Sequence, residues 1–269
     1  MKMLMTKAAR FLAIAAIAGG LLASVSAAQA AEPDYSPWNM ILTKYYDPLK
    51  GMDYKSLKAN DTATINKLRQ TMSKVDVNSL NKKEQLAYWM NLYNINVVAL
   101  INDNYPVNSI RAISTDLLKF NVFKKDYVPF GNGKMSLSKL EDEKIREGFK
   151  DARIHFAINC AARSCPPIRT EAFVGARVDE QLDDQSRRFL NGPNGVKISK
   201  KGDTTIVETT KIMSGFPWFG KDFNAWAGGN LSFIRKYVSA DKLKMIDQAG
   251  KNVKVTYDDY NWDLNDWQR

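Results

Sequence analysis

The stretch LAYWMNLYNINVVALI, residues 86–101, decides the fold of this chain. It lies in a predicted helix over residues 80–102, and its apolar side chains occur on every face of that helix. A helix of this kind belongs inside a protein rather than on its surface. Asn81 and Glu84 have the spacing of a capping box at its start, and Pro106 follows its end. The sequence therefore predicts one long buried helix against which other elements pack.

Three asparagines, Asn91, Asn94 and Asn96, interrupt this apolar stretch. A buried amide needs hydrogen-bond partners, so these residues are the unusual feature of the helix. One interpretation is that Asn91 and Asn94, together with Tyr88, border a cleft and bind a ligand. The other is that they form a satisfied internal network that fixes the packing.

Shorter elements surround the central helix in the sequence. Ser138 and Glu141 have the spacing of a second capping box, which predicts a helix to about Phe149. The remaining predicted elements are helices over residues 35–46, 62–75, 178–190, 231–238 and 241–248, hairpins over 127–135 and 196–209, and strands over 153–158 and 253–257. Short, scattered strands favour a single α+β domain whose helical N-terminal half packs on a small mixed or antiparallel sheet.

Composition excludes several classes of protein. The chain has 269 residues, of which 45% are hydrophobic and 25% charged, and its formal net charge is +10. These proportions are typical of a globular protein and exclude a disordered one. Two cysteines exclude a disulfide-rich scaffold and a four-cysteine zinc site, and a single histidine excludes a site that needs two. We expect no metal and no cofactor.

Residues 1–30 have the pattern of a signal peptide. They carry three basic side chains and no acidic one, then an apolar stretch over residues 11–25, then Ala28-Gln29-Ala30. The apolar stretch is shorter than the ~20 residues that a membrane-spanning helix needs. We therefore predict cleavage near Ala30, a periplasmic or secreted protein, no transmembrane segment in the mature chain, and no nucleic-acid partner.

The stretch from His155 to Pro167 holds the single histidine and both cysteines. A thiolate beside an imidazole is an arrangement for nucleophilic catalysis. In this hypothesis Cys160 or Cys165 attacks a carbonyl, His155 acts as base, and Arg163 favours the thiolate. Either Glu141 or Asn91 then orients the imidazole.

Other interpretations of the same residues stay open. In an oxidising compartment Cys160 and Cys165 form a disulfide. His155 alone is more typical of a hydrogen-bonded structural residue, and its spacing from the cysteines matches no usual zinc pattern. The aromatic C-terminal stretch over residues 257–267, with Trp218 before it, is either a platform for stacking carbohydrate or a segment that packs back onto the domain.

Five blocks of this sequence, in order, resemble one known family. They are residues 88–94, 105–110, 137–141, 155–167 and 260–265. The chain is identified by these blocks as an exported bacterial member of the domain of unknown function 547 family. The domains expected on this basis are the signal peptide over residues 1–30, a helical extension over 31–79 and the family domain over 80–269.

The resemblance implies no agreed activity. It implies a distant likeness to papain and transglutaminase folds, in which a cysteine on a central helix faces a strand histidine. The central helix of this chain has no cysteine, and Asp142 stands where the family pattern often has a histidine.

Two functional hypotheses follow. The first is a binding module for a peptide, a glycan or another component of the cell envelope, in a cleft bordered by Asn91, Asn94 and His155, with Tyr88 and Arg163 also contributing. The alternative is a cysteine-dependent hydrolase or acyl transferase that uses Cys160, His155 and Glu141. The sequence leaves open whether the protein is an enzyme.

Overall fold

A computed structural model of the chain describes residues 32–114, 121–215 and 217–267. The predicted signal peptide lies outside these described residues. Within them, no helix is both long enough and apolar enough to cross a membrane.

The described residues form helices, three small sheets and several short 3₁₀ turns. The helices are α1 (Ser36–Tyr45), α2 (Tyr54–Asn60), α3 (Thr62–Ser73), α4 (Lys82–Asn104), α5 (Asn121–Lys124), α6 (Leu137–Lys139), α7 (Glu147–Phe149), α8 (Val178–Asn191), α9 (Gly220–Ala227), α10 (Asn230–Tyr237) and α11 (Ala240–Ala249), with a π-helix (Leu140–Arg146) between α6 and α7. The strands are β1 (Tyr46–Asp47), β2 (Gly51–Met52), β3 (Asp126–Phe130), β4 (Gly133–Ser136), β5 (Lys197–Lys201), β6 (Thr204–Thr209) and β7 (Val253–Tyr257).

Helix α4 is the central element of the fold, as the sequence predicts. Asn81 and Glu84 form the predicted capping box, and every residue from 86 to 102 is buried. Helices α2, α3 and α8, strand β3 and the π-helix pack against α4. The core around it extends from Tyr35 to Leu264, so the segment before residue 80 belongs to the same core.

The asparagines of α4 hold a distant part of the chain by its backbone. The Asn91 amide donates to the Phe173 carbonyl at 2.7 Å and accepts from the Phe173 N–H at 3.0 Å. Asn94 in the same way donates to Ala157 at 3.0 Å and accepts from the Asn159 N–H at 2.9 Å. Both side chains are fully buried. They therefore form the internal network that was one of the two interpretations of the sequence.

Strands β5, β6 and β7 form a mixed sheet. The β5–β6 pair is the predicted antiparallel hairpin, with Lys201 opposite Thr204, and β7 joins β6 in parallel. A second core of buried residues lies beside this sheet and takes side chains from α8 to α11. The α+β fold with a small mixed sheet is thus confirmed, and helices continue beyond the helical N-terminal half.

The strand predicted over residues 153–158 is wrong, because this segment is a 3₁₀ helix, Ala152–Phe156. The Asp151 carboxylate accepts the Arg153 N–H at 2.9 Å and caps that turn. Ile154, His155 and Phe156 are all buried, so the alternation of apolar side chains does not mark two faces of a strand.

The capping box predicted at Ser138 and Glu141 is also wrong. Ser136 caps this helix instead, through its hydroxyl and the Lys139 N–H at 3.1 Å. Glu141 lies five positions further on, in the π-helix, and is not used as a cap. Its carboxylate is therefore available to face a cleft.

We predict that Asn91→Ala lowers the free energy of unfolding by about 2–4 kcal/mol, because it leaves the buried N–H and carbonyl of Phe173 without partners. Urea denaturation measures the change. Asn60→Ala, at an exposed asparagine on α2, is the matched control and changes stability little. Equal stability of the two variants would show that the Asn91 contact does not hold the fold.

Candidate functional site

A cleft of about 650 Å³ lies where segments far apart in the sequence meet. Tyr93 of α4, the π-helix, the 3₁₀ turn with His155 and the loop of the two cysteines form one part of its lining. The segment before α9 and the C-terminal stretch form the other. The lining residues are Tyr93, Phe123, Lys124, Ser138, Glu141, Asp142, Arg146, His155, Ile158, Cys160, Cys165, Pro166, Ile212, Pro217, Trp218, Phe219, Lys221, Tyr260 and Trp262.

Aromatic rings form one side of the cleft, the aromatic wall of Phe123, Trp218, Tyr260 and Trp262. The Tyr260 ring centroid lies 4.7 Å from those of Trp218 and Trp262, and Phe123 extends the row at 6.3 Å from Trp262. All four side chains are half-buried, so their rings pack on one another and also meet solvent. The C-terminal stretch both packs onto the domain, through buried Leu264, and contributes two of these rings.

Glu141 lies in the cleft as a carboxyl group with a raised pKa. Burial, followed by the charge of Asp142, raises the pKa of Glu141 to about 7, although Arg146 and a hydrogen bond with Tyr93 act in the opposite direction. Burial and Glu141 keep the pKa of the Tyr93 hydroxyl well above its usual value, so the hydroxyl remains a donor to the carboxylate. The cleft therefore holds a group that exchanges a proton near neutral pH.

His155 is anchored by an ion-paired carboxylate. Its Nε2 lies 2.7 Å from Asp222, which also accepts from Arg146 at 2.8 Å. The ring stacks on Phe219 with centroids 4.2 Å apart. Burial lowers the pKa of His155. The hydrogen bonds of His155 and Arg146 outweigh burial and lower the pKa of Asp222. A neutral imidazole therefore faces an ionised carboxylate.

Cys160 and Cys165 are joined by a disulfide, with Cα atoms 6.2 Å apart. The Tyr260 hydroxyl lies 3.1 Å from each sulfur atom. The Cys160 N–H donates to the Cys165 sulfur at 2.9 Å. Neither sulfur is a free thiol in this structure, and His155 pairs with Asp222 through Nε2.

The structure brings together only part of the predicted site. Glu141, His155, Cys160 and Cys165 line the same cleft. The other predicted site residues, Asn91, Asn94, Tyr88 and Arg163, are not among the described residues that line it.

The four residues outside the cleft have other contacts. The amides of Asn91 and Asn94 are hydrogen-bonded to backbone groups of residues 157–173. The Tyr88 hydroxyl donates to the Met72 carbonyl at 2.8 Å. The Arg163 backbone pairs with Asp263 and Asn194.

Asp222, Arg146 and Tyr93 also belong to this site, and no sequence pattern pointed to them. Asp222 is 67 positions from its partner His155 in the sequence. It lies in the first turn of α9, where an acidic residue is common and gives no sign of a site. Tyr93 lies inside the apolar run of α4, where its hydroxyl gives no signal. Across the described ranges, no group of three His, Cys, Asp or Glu side chains is placed to hold a metal ion.

We predict that Glu141→Gln makes the protein less sensitive to pH. A carboxyl whose native pKa is about 7, against 4.5 ordinarily, binds its proton more tightly in the folded state. Wild-type stability therefore falls as pH rises from about 4.5 to about 7. The variant does not lose this stability, so relative to wild type it gains about 1–3 kcal/mol between pH 4 and pH 8.

Denaturation by urea at both pH values measures this difference. Glu143→Gln, at an exposed carboxylate on the same π-helix, is the matched control. Parallel stability profiles for wild type and Glu141→Gln would contradict the raised pKa.

Comparison with known proteins identifies one family. Residues 77–190 match the family model described as Protein of unknown function, DUF547. No curated protein and no solved structure gives a significant match to the chain. The matched region contains the whole of the buried helix α4 and its capping box, together with Glu141, His155 and both cysteines. The similarity of this chain to the DUF547 family thus covers residues 77–190.

Proposed function

We propose that the cleft binds a glycan of the cell envelope, in a protein exported by the signal peptide predicted over residues 1–30. The observation that carries this proposal is the aromatic wall, which lines the same cleft as polar side chains of the π-helix. A pocket of about 300–1,000 Å³ is the usual size for a small ligand, and the volume of this cleft falls in that range.

The aromatic rings and the polar side chains that line the cleft together favour a sugar ring as the ligand. A pyranose has an apolar C–H face and a rim of hydroxyl groups. The faces of Trp218 and Trp262 offer apolar stacking surface. Glu141, Ser138 and Lys124, which line the same cleft, offer acceptors and donors for the hydroxyl groups. A pyranose combines an apolar face and a polar rim in one ring, which is why the glycan is preferred here.

We predict that Trp218→Ala and Trp262→Ala each weaken the binding of a tetramer of N-acetylglucosamine about tenfold, because each removes one stacking surface. Isothermal titration calorimetry measures the affinity. Trp267→Ala is the matched control: this ring contacts Lys50, outside the cleft, and its removal leaves the affinity unchanged.

A parallel titration with a tetrapeptide tests whether the cleft binds a peptide instead of a glycan. Glycan binding that is about tenfold weaker in both cleft variants supports the proposal. Binding of the peptide with no binding of the glycan, or equal affinities for all three tryptophan variants, would overturn it.

The cysteine-dependent hydrolase or acyl transferase remains a second candidate, favoured by the presence of Cys160 and His155 in one cleft. It requires the disulfide to be reduced first, because only a thiolate is a nucleophile. In that case the reduced protein hydrolyses p-nitrophenyl acetate faster than the oxidised protein, and Cys160→Ser abolishes the difference. Equal rates for reduced and oxidised wild type would contradict this activity.

A further inference from the structure

We propose that the Cys160–Cys165 disulfide is a thiol–disulfide exchange site, at which a thiol-bearing ligand in the cleft attacks the sulfur of Cys160. This activity does not depend on the glycan. The proposal stands on the different surroundings of the two sulfur atoms and on their place in the cleft lining.

The two cysteines differ in exposure. Cys160 is half-buried at the cleft surface, whereas Cys165 is buried with 7% of its surface exposed. Attack on a disulfide needs access for the incoming thiolate along the S–S axis. Cys160 is therefore the sulfur that a ligand in the cleft reaches.

Cys165 Sγ has one more neighbouring hydrogen-bond donor than Cys160 Sγ. Cys165 Sγ accepts the Cys160 N–H at 2.9 Å and lies 3.1 Å from the Tyr260 hydroxyl. The same hydroxyl lies 3.1 Å from Cys160 Sγ, and its single hydrogen turns to Cys165 once a negative charge develops there. Donors aimed at a developing charge stabilise the leaving group.

The backbone donor is fixed in place by Asn159. Its amide donates to the Pro166 carbonyl at 2.7 Å and accepts the Ala161 N–H at 2.7 Å, so it ties both sides of the loop between the cysteines. The Cys160 N–H therefore stays beside Cys165 when the S–S bond breaks. Burial and Glu141 raise the pKa of Tyr260, so its hydroxyl keeps its proton and remains a donor.

The step balances with one thiol as co-reactant. The ligand thiolate forms a new S–S bond with Cys160 Sγ, and the Cys160–Cys165 bond breaks. Its electron pair leaves on Cys165 as a thiolate, which the two donors stabilise. The product is a mixed disulfide on Cys160, and a second ligand thiol, or Cys165 in reverse, releases it.

The test identifies the attacked sulfur. The oxidised full-length protein is treated with glutathione, quenched in acid, alkylated with N-ethylmaleimide and digested with trypsin. Cleavage after Arg163 places the two cysteines on separate peptides. We expect glutathione on the Cys160 peptide and the maleimide on the Cys165 peptide. Glutathione mainly on Cys165, or no mixed disulfide under conditions in which glutathione opens the linear disulfide of 2-hydroxyethyl disulfide, would overturn the proposal.

A cysteine-containing pentapeptide in place of glutathione distinguishes the two sources of the thiol. Faster exchange with the pentapeptide assigns the site to a peptide thiol, and faster exchange with glutathione assigns it to a small-molecule thiol. Exchange with either one supports the site, and exchange with neither overturns it.

Tyr260→Phe tests the role of the donor while keeping the aromatic ring. We expect exchange about three- to tenfold slower, because the leaving thiolate loses one hydrogen bond and its pKa rises. Tyr257→Phe is the matched control, since the hydroxyl of that residue meets Asn230 at 2.7 Å outside the cleft. Equal exchange rates for Tyr260→Phe and Tyr257→Phe would show that the hydroxyl does not assist departure of the thiolate.

Discussion

The fold depends on two buried amides that hold the backbone of a distant segment. Asn91 pairs with both polar groups of Phe173, and Asn94 bridges Ala157 and Asn159. A buried amide is favourable only where its donors and acceptors are satisfied, so each pair fixes both position and register. The segment also lies very close to α4: a Cβ at Gly175 would come within 2.6 Å of the Glu84 side chain. These constraints place the chain from residue 157 to residue 175 against α4 in one arrangement.

The cleft follows from that arrangement. Because Asn94 holds the backbone on both sides of Ile158, the 3₁₀ turn with His155 and the loop with Cys160 lie at one edge of α4. The π-helix adds Glu141 beside them, since the wider turn places this carboxyl on the cleft side rather than at a cap. A π-helix is a frequent feature of functional sites for this reason. The asparagines thus position the site although they are not among its described lining residues.

The sequence predicts what depends on local patterns. The apolar stretch and capping box give α4, and the turn residues give both hairpins, because these features depend on neighbours in the chain. The 3₁₀ turn at His155 is not predicted, because its apolar residues alternate in sequence as in a strand although the side chains on every face are buried. The Asp222 partner and the aromatic wall escape because tertiary packing alone brings them to the cleft. The sequence shows that the asparagines of α4 need hydrogen-bond partners. Only the structure shows that these partners are backbone groups.

Tyr260 connects the aromatic wall, the disulfide and Glu141. Its ring belongs to the aromatic wall, its hydroxyl meets both sulfur atoms, and the charge of Glu141 contributes to its raised pKa. A ligand stacked on the wall therefore lies beside the disulfide and close to a carboxyl that exchanges protons near neutral pH. The same hydroxyl cannot donate to a ligand and to a leaving thiolate at once, because it has one hydrogen. Under the two proposals, a ligand that takes the Tyr260 hydrogen removes it from the leaving thiolate of Cys165, so Tyr260 is the residue at which the two proposed activities would limit each other.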